Sequence, residues 1–539
     1  LAGITIFVMV IFFTAPSSLL AQADPVPLRA GVYDFLERMT VKGLINEDAF
    51  VKPLVRSQIA RHLNELSENR GRLTAVEQQE LDWYVEEYAP GRDRQERWYL
   101  FSYGDSVFSA RLVPKAGVDA RSKNDEFQWT RWWGFQASGS IGNSLGFLIE
   151  FSDHWTRGAR CDHMERFTNV QEPPIIRDDG TVYEFDVTEG ALLYHSPLVT
   201  IGGAMQTMTA GSGVRSQLAL SQKPTAFPSL IFNIHPVEWM SFYYFHGWLL
   251  SRVRDTLASY STAIPGRSRN VDRDKCMAFH ALEVRPVRTL SITAGESVIY
   301  SDRPFYWGYL IPFAFYRSED HGAEANGGVN TGSNSQMFFD AQYQLMPGLR
   351  THGTFFVDEL SVSDLLNGKN DRNQTGYTIG LSAYGIPAAN LMLRLEYTKI
   401  QPWVYSNYIP AQTYTHSESV LGSYIGQNAD QWYLDASYTI RRGLVCRAWF
   451  ERIRQGGFNT VDQQYTEPGE DFLYGPRRTE TSIGLEVSYE IVHDWFVHGW
   501  YTHSDISDDD PQRTPSYMLG SSQAFGIGMS LGKPWSTFF

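Results

Sequence analysis

Cysteine is nearly absent. Three residues in 539, Cys161, Cys276 and Cys446, are too few, and odd in number, for a disulfide scaffold. Basic residues do not outnumber acidic ones: 46 Lys and Arg against 60 Asp and Glu leave a net charge of −14. That excludes the basic face with which a nucleic-acid binder displaces counterions. Glycine follows no strict period and heptads are missing, which excludes a collagenous or coiled-coil chain. Long apolar runs are confined to the first residues, and nothing after them is continuous enough for a spanning helix, which takes about 20 apolar residues. What the chain has in plenty is aromatic side chains, 14% of it, within a 43% hydrophobic content that excludes disorder.

Ile4 to Phe13 form an apolar run of signal-peptide length, followed by Ala21-Gln22-Ala23, a small-x-small pattern that predicts cleavage after Ala23 and a mature start at Asp24. Export without a later apolar helix leaves two destinations, a secreted soluble protein or an outer-membrane β-barrel. Residues 24–97 read as a small helical module and linker. Leu28, Val32, Phe35, Leu36, Met39 and Leu44 follow helical spacing, Ile59, Leu63 and Leu66 form a second stripe, and Leu81, Val85 and Tyr88 a third. Thr74 and Glu77 stand at capping-box spacing before the third helix, and Pro90-Gly91 stops it. Three short helices bury one another only marginally, so the module is expected to dock on the rest of the chain, on the periplasmic end of a barrel.

From residue 98 to the end the period becomes two. Leu391, Leu393, Leu395 and Tyr397 alternate with Met392, Arg394, Glu396 and Thr398; Trp432, Leu434, Ala436, Tyr438 and Ile440 alternate with Tyr433, Asp435, Ser437 and Thr439. One face is apolar and the other wet. Tight turns such as Met346-Pro347-Gly348 and Arg441-Arg442-Gly443 alternate with polar excursions, among them Arg121 to Phe127, Arg254 to Lys275 and Gln401 to Ala429. Nine excursions and eight tight turns predict a transmembrane antiparallel outer-membrane β-barrel of about 18 strands, residues 98–539, with long extracellular loops. Trp98 to Leu112 reads equally as an extra strand, a linker or a plug. Trp132, Trp133, Trp239, Tyr243, Trp495 and Trp500 are expected in interfacial girdles, and Cys446, in register with Leu444, Ala448 and Phe450, toward lipid. The alternating end Phe525 to Leu531 and the terminal Phe538-Phe539 look like the signal read by barrel-insertion machinery.

Several stretches together resemble the Wzi-type capsule assembly proteins. They are Val32-Tyr33-Asp34-Phe35-Leu36-Glu37-Arg38 followed by Lys42-Gly43-Leu44; Gly295-Glu296-Ser297-Val298-Ile299-Tyr300 leading to Tyr309-Leu310-Ile311-Pro312; Arg394-Leu395-Glu396-Tyr397 before Pro402-Trp403-Val404-Tyr405-Ser406; and Leu421 to Asp430. The likeness runs across nearly the whole mature chain. One departure is Thr207-Met208-Thr209-Ala210-Gly211, where the family's turn carries Trp-Gly. The resemblance implies a non-catalytic, lectin-like outer-membrane protein that holds capsular or other extracellular polysaccharide at the cell surface. Its expected surroundings are outer-membrane lipid and lipopolysaccharide; it would act as a monomer, with no nucleic acid partner and no cofactor.

Sugars present apolar C–H faces and many hydroxyls, so a carbohydrate site needs aromatic platforms beside carboxylates, amides and guanidinium groups. Two excursions carry that mixture: Trp403, Tyr405, Asn407, Tyr408, Tyr414 and His416 in one, Tyr300, Asp302, Arg303 and Trp307 in the other. These ten are the predicted carbohydrate-binding residues. The basic residues of Arg254 to Lys275 offer a further contact for acidic glycan or lipopolysaccharide phosphate. Catalysis has a weaker footing. His246, His280, His416, His498 and His503 are scattered, and no nucleophile motif stands in a strand-turn-helix context. Asp505, Asp508, Asp509 and Asp510 lack calcium-loop spacing, so no metal is expected. The rival reading is a porin or channel for solute uptake, since a barrel this wide encloses water unless loops fill it.

Overall fold

In a computed structural model of the chain the described residues are 22–47, 49–88, 99–105, 107–124, 126–142, 144–158, 171, 174–319, 332–359, 373–458 and 470–533. The apolar leader, Cys161 and the terminal Phe538-Phe539 lie outside them.

Eighteen antiparallel strands close one barrel. They are β1 Phe108–Lys123, β2 Glu126–Ile141, β3 Leu145–Gly158, β4 Val182–His195, β5 Val199–Gln206, β6 Phe227–Val237, β7 Met240–Ser261, β8 Ser268–Val287 and β9 Leu290–Ser301. The second half comprises β10 Asn334–Met346, β11 Leu349–Glu359, β12 Gln374–Tyr384, β13 Leu391–Ile400, β14 Ala429–Arg441, β15 Leu444–Gln455, β16 Arg478–Val492, β17 Trp495–Asp508 and β18 Gly520–Leu531. Each strand pairs with the next, and β18 returns to β1 with Ile527 opposite Ala120, so no edge is left unpaired. Within Trp98 to Leu112, Phe101–Gly104 pairs back onto the start of β1.

The alternation sorts the wall as expected: on β14, Trp432, Leu434, Tyr438 and Ile440 are exposed on the outside while Tyr433, Asp435 and Thr439 are buried inside. Cys446 lies on the outward face of β15, half-buried and free. Two excursions are strand instead of loop. Asn124 and its neighbour alone separate β1 from β2, so Arg121 to Phe127 is a tight turn. Most of Arg254 to Lys275 belongs to β7 and β8, of 22 and 20 residues, which pair out to Ser261 opposite Ser268. Beyond the apolar band both faces of a hairpin are wet, so its sequence loses the alternation while its backbone keeps pairing. Three expected girdle aromatics also face inward. Trp132, Tyr243 and Trp500 are buried in the lumen, where Trp132 lies over Gly117 and Trp500 over Gly526; a Cβ at Gly526 would stand 2.6 Å from the Trp500 ring. Trp133 and Trp239 remain exposed.

Three helices, α1 Val32–Val41, α2 Arg56–Glu68 and α3 Ala75–Tyr88, bury Phe35, Leu36, Ile59, Leu63 and Leu81 against one another and against Tyr384 and Met392 of the barrel. They sit at the end that carries the tight turns. α3 starts as its sequence dictates: the Thr74 N–H donates to Glu77 Oε2 at 2.6 Å and the Glu77 N–H to Thr74 Oγ1 at 3.2 Å. Polar contacts then fasten the module to the wall. Tyr384 donates to Glu77 Oε1 (2.9 Å) and Arg38 to Thr439 (3.2 Å) across the joint, while within the module Lys42 pairs with Glu77 (2.6 Å) and Arg38 with Glu80 (2.8 Å). Trp83 stacks on His493 with centroids 3.5 Å apart. Asp24 reaches into the lumen to pair with Arg111. Between module and wall lies a polar cavity of about 370 Å³, lined by groups such as Arg38, Glu80, Arg394, Arg447 and Glu486.

Glu77 therefore serves three donors at once. Glu77→Ala is expected to weaken docking by about 3 kcal/mol, read as faster amide exchange in α1 and α3 with the heat-resistant gel migration of the barrel unchanged. Burial, reinforced by the charges of Arg61, Arg285 and Lys52, pushes His62 down to about 3. Because that folded value lies below the ordinary one, the unfolded module binds the extra proton, and stability is lost as pH falls from about 6.5 toward the folded value. The protection factors of the α2 amides, exchange taken relative to the intrinsic rate at each pH, should fall between neutral pH and pH of about 5, and His62→Gln should flatten that dependence.

Candidate functional site

At the other end of the barrel two connections fold inward. The first, residues 207–226 between β5 and β6, descends the lumen, where Thr209–Ala210 forms a two-stranded sheet with Val51–Lys52. Its tip is held by carboxylates on inward positions of the wall. Glu396 accepts three successive backbone N–H groups, from Val214 (2.6 Å), Arg215 (3.1 Å) and Ser216 (2.9 Å), and also meets His352 Nε2 at 3.1 Å. Asp340 accepts from Ser212 and Thr354 hydroxyls, both at 2.6 Å. Arg215 makes a two-pronged contact with Glu451 at 2.8 and 3.2 Å, its guanidinium set between the Tyr424 and Tyr433 rings. Burial disfavours the Arg215 charge, and Glu451 more than offsets this, holding it well above its ordinary value.

The second connection, residues 401–428 between β13 and β14, packs on the first. Tyr405 donates to the Leu218 carbonyl (2.9 Å) and Tyr414 to that of Ala219 (2.7 Å), and their rings stack with centroids 5.5 Å apart. Ser221 closes the joint, its N–H donating to Leu421 O at 2.8 Å and its hydroxyl to Gly422 O at 2.6 Å. Trp403 and Tyr405 adopt left-handed backbone, φ 62° and 74°, a conformation that non-glycine residues hold only when their surroundings impose it. Leu218, Leu220, Val404, Leu421 and Ile425 fill the space between these loops and the wall residues Phe279, Phe338 and Phe356.

This packing redistributes the ten predicted residues. Trp403, Tyr405, Tyr414 and His416 are 2%, 4%, 0% and 3% exposed. The Tyr405, Tyr414 and His416 rings pack in the lumen as anchoring groups, and the Trp403 ring stacks on Tyr474 of the β15–β16 connection with centroids 5.7 Å apart. His416 accepts the Leu250 N–H (3.2 Å) and is pushed down to about 4 by burial and by Lys275 and Arg252, so it is neutral. Tyr300 is buried on the outside of the wall, bonded to His246 at 2.6 Å, and Trp307 lies on that outer side, 73% exposed. Asp302 is at the rim, paired with Arg273 of the β7–β8 hairpin at 2.6 Å, and Arg303 lies over the Tyr306 ring. Of the ten, Asn407 and Tyr408 are the two that sit on the accessible surface of the second loop, Tyr408 exposed and Asn407 half-buried.

That surface adjoins Lys275 and Glu418, which the sequence pattern marks, and Arg252, which it does not. The second loop is tied to the projecting hairpin: Arg252 Nε donates to Ser417 Oγ (2.9 Å), Lys275 Nζ to Thr415 Oγ1 (3.0 Å), and the Ser417 N–H to Leu250 O (2.9 Å). The rim thus offers an exposed phenol ring, an amide, guanidinium groups and the Glu418 carboxylate, a set suited to a hydroxyl-rich ligand with acidic groups. The histidines do not converge. His246 and His280 face outward, His416 lies in the second loop, and His498 pairs with Asp119 in the lumen at 2.7 Å. Among the described residues no group of three or more His, Cys, Asp or Glu is placed to hold a metal ion.

The plug should be separable from the barrel. Glu396→Ala leaves three N–H groups without their acceptor, a loss of about 3 kcal/mol or more for the inward position of 207–226. The expected result is protease cleavage within 207–226 and raised single-channel conductance, from a barrel that still assembles.

No curated protein matches the chain. Among solved structures, it is similar to the Escherichia coli outer-membrane protein Wzi, described as a carbohydrate-binding β-barrel involved in group 1 capsule assembly: TM-score 0.58, 11% identity, 94% of this chain and 99% of that one covered. Pseudomonas aeruginosa OccD3 follows at TM-score 0.42 and 11% identity, with 81% and 94% covered, and Pseudomonas aeruginosa OprD at 0.40 and 12%, with 78% and 94% covered. The family model for the capsule assembly protein Wzi matches residues 130–516. With most of its length so matched, and with the barrel that the family's solved structure also has, the chain belongs to the Wzi capsule assembly family.

Proposed function

We propose that this chain is a non-catalytic outer-membrane protein that binds a surface polysaccharide at the long-loop end of its barrel and keeps it on the cell, its helical module facing the periplasm. The observation that carries this reading is the match to the capsule assembly family across residues 130–516. The carbohydrate binding described for the Escherichia coli relative supports it. The orientation follows from the usual asymmetry of such barrels, short turns inward and long loops outward. The filled lumen weighs against solute uptake, because the two inward loops and the aromatic wall occupy the width that a channel would need.

The polysaccharide would meet Tyr408, Asn407 and Glu418 of the second loop and Arg252 at the base of the hairpin. Tyr408 supplies an apolar face for a sugar ring, and Arg252 a donor pair for a carboxylate or hydroxyls. The buried aromatics would act one step away, holding the second loop in shape beneath them. Tyr408→Ala combined with Arg252→Gln is expected to weaken glycan binding by about 1–2 kcal/mol, roughly tenfold. The check is cell-bound polysaccharide together with barrel abundance and heat-modifiable migration: retention should fall while the barrel measures stay level. Unchanged retention would overturn the site.

A further inference from the structure

Between Asp302 and Glu319 the chain does something that neither the plug nor the rim requires. After β9 it turns back along the outside of the barrel. The faces are unambiguous: Met277, Phe279 and Ile299 point into the lumen core, so the alternate residues Cys276, Ala278, His280, Glu296, Val298 and Tyr300 point outward. On this stretch the outer wall is polar. His280 stands opposite Glu296, their side chains 3.5 Å apart, and His246 bonds to Tyr300.

The returning segment covers that stretch and satisfies it. Tyr309 and Tyr316 pack on Cys276, Ala278, Val298 and Tyr300. The Tyr316 and Arg317 N–H groups donate to the Glu296 carboxylate at 3.0 and 2.9 Å. Tyr244 donates to Tyr309 O (3.0 Å) and Trp248 Nε1 to Pro304 O (3.2 Å). The opposite side of the same segment is apolar: Trp307, Ile311, Phe313 and Phe315 are 73%, 57%, 66% and 53% exposed. From residue 311 to 316 exposure alternates, Ile311, Phe313 and Phe315 outward with Pro312, Ala314 and Tyr316 turned to the wall.

We propose that residues 302–319 form an outer-wall strap whose exposed edge, Trp307, Ile311, Phe313 and Phe315, contacts the acyl chains of the membrane. The occupant is identified by continuity. On both flanks the wall itself presents outward apolar residues, Leu230 on β6 and Phe339 on β10, and Phe339 pairs with Ala294 only two positions from Glu296. The strap carries this band across the interval where the wall has a carboxylate and two imidazoles instead. Hydrocarbon solvates such groups poorly, so they need a cover at that level. Two backbone donors on Glu296 and four large apolar side chains facing out convert the interval into lipid-compatible surface. The inference rests on the barrel spanning a membrane and is independent of polysaccharide binding.

The test places a benzophenone side chain (p-benzoylphenylalanine) at Phe313 or at Phe315 in the full chain, folded into vesicles of phosphatidylethanolamine and phosphatidylglycerol. Phe339 serves as the wall reference and Leu257, 96% exposed on the hairpin, as the aqueous one. On irradiation, positions 313 and 315 should form phospholipid adducts as position 339 does, and position 257 none. Adducts at 339 but none at 313 and 315 would overturn the proposal. So would adducts at 313 or 315 with a second copy of the chain in place of lipid.

Discussion

The arrangement at the long-loop end depends on one buried carboxylate. Glu396 stands on an inward position of β13 and accepts three consecutive backbone N–H groups of the first inward loop, with His352 beside it. Hydrogen bonds to an ionised acceptor are roughly twice as strong as neutral ones, and three on one carboxylate fix the backbone of a loop tip as a helix or sheet otherwise would. Asp340 and Glu451 extend the same device around the wall. With the first loop fixed, the second has a floor to pack on: the Tyr405 and Tyr414 hydroxyls both end on carbonyls of the first loop. The accessible surface bearing Tyr408 is therefore positioned by a chain of contacts that begins with acids on the barrel wall.

The same economy of two faces explains the rest of the molecule. A strand that is apolar outside and wet inside places its acids in the lumen, where a loop or a helix can reach them. At the long-loop end the acids hold backbone donors. At the other end, Glu77 and Glu80 of α3 come from the module, and Tyr384, Thr439 and Arg38 complete the joint. Where the wall turns Glu296 and His280 outward, a third piece of chain lies over it. Loop, module and strap thus answer one physical demand, that a polar group on a barrel wall must have a partner on whichever side it faces.

Much of this was legible in the sequence. Leu434 against Asp435, or Leu395 against Glu396, reports which residue meets lipid and which meets the lumen, and the strand number follows from the alternation of short and long connections. Thr74 and Glu77 announced the start of α3 by their spacing. Local patterns do not say whether a long connection points out or in. Trp403, Tyr405, Tyr414 and His416 have the composition of a sugar platform and the position of a plug, and only the tertiary packing separates the two. Tyr300 and Trp307 have that composition as well, yet one lies beneath the strap and the other on its outer edge. The hairpin around Arg254 to Lys275 escaped detection because a two-sided polar strand has no hydrophobic period. A usable signal for the plug was present in Glu396, Asp340 and Glu451, acids on lumen positions, together with a Ser-rich loop carrying a single arginine, Arg215.

The most direct test of the account is to delete the gene and separate surface polysaccharide into cell-bound and shed pools, with total synthesis measured alongside. An anchoring protein predicts a shift from the bound to the shed pool at constant total, reversed by the full-length chain. An unchanged partition at constant total would contradict it, and would leave the family relationship describing the fold without the function.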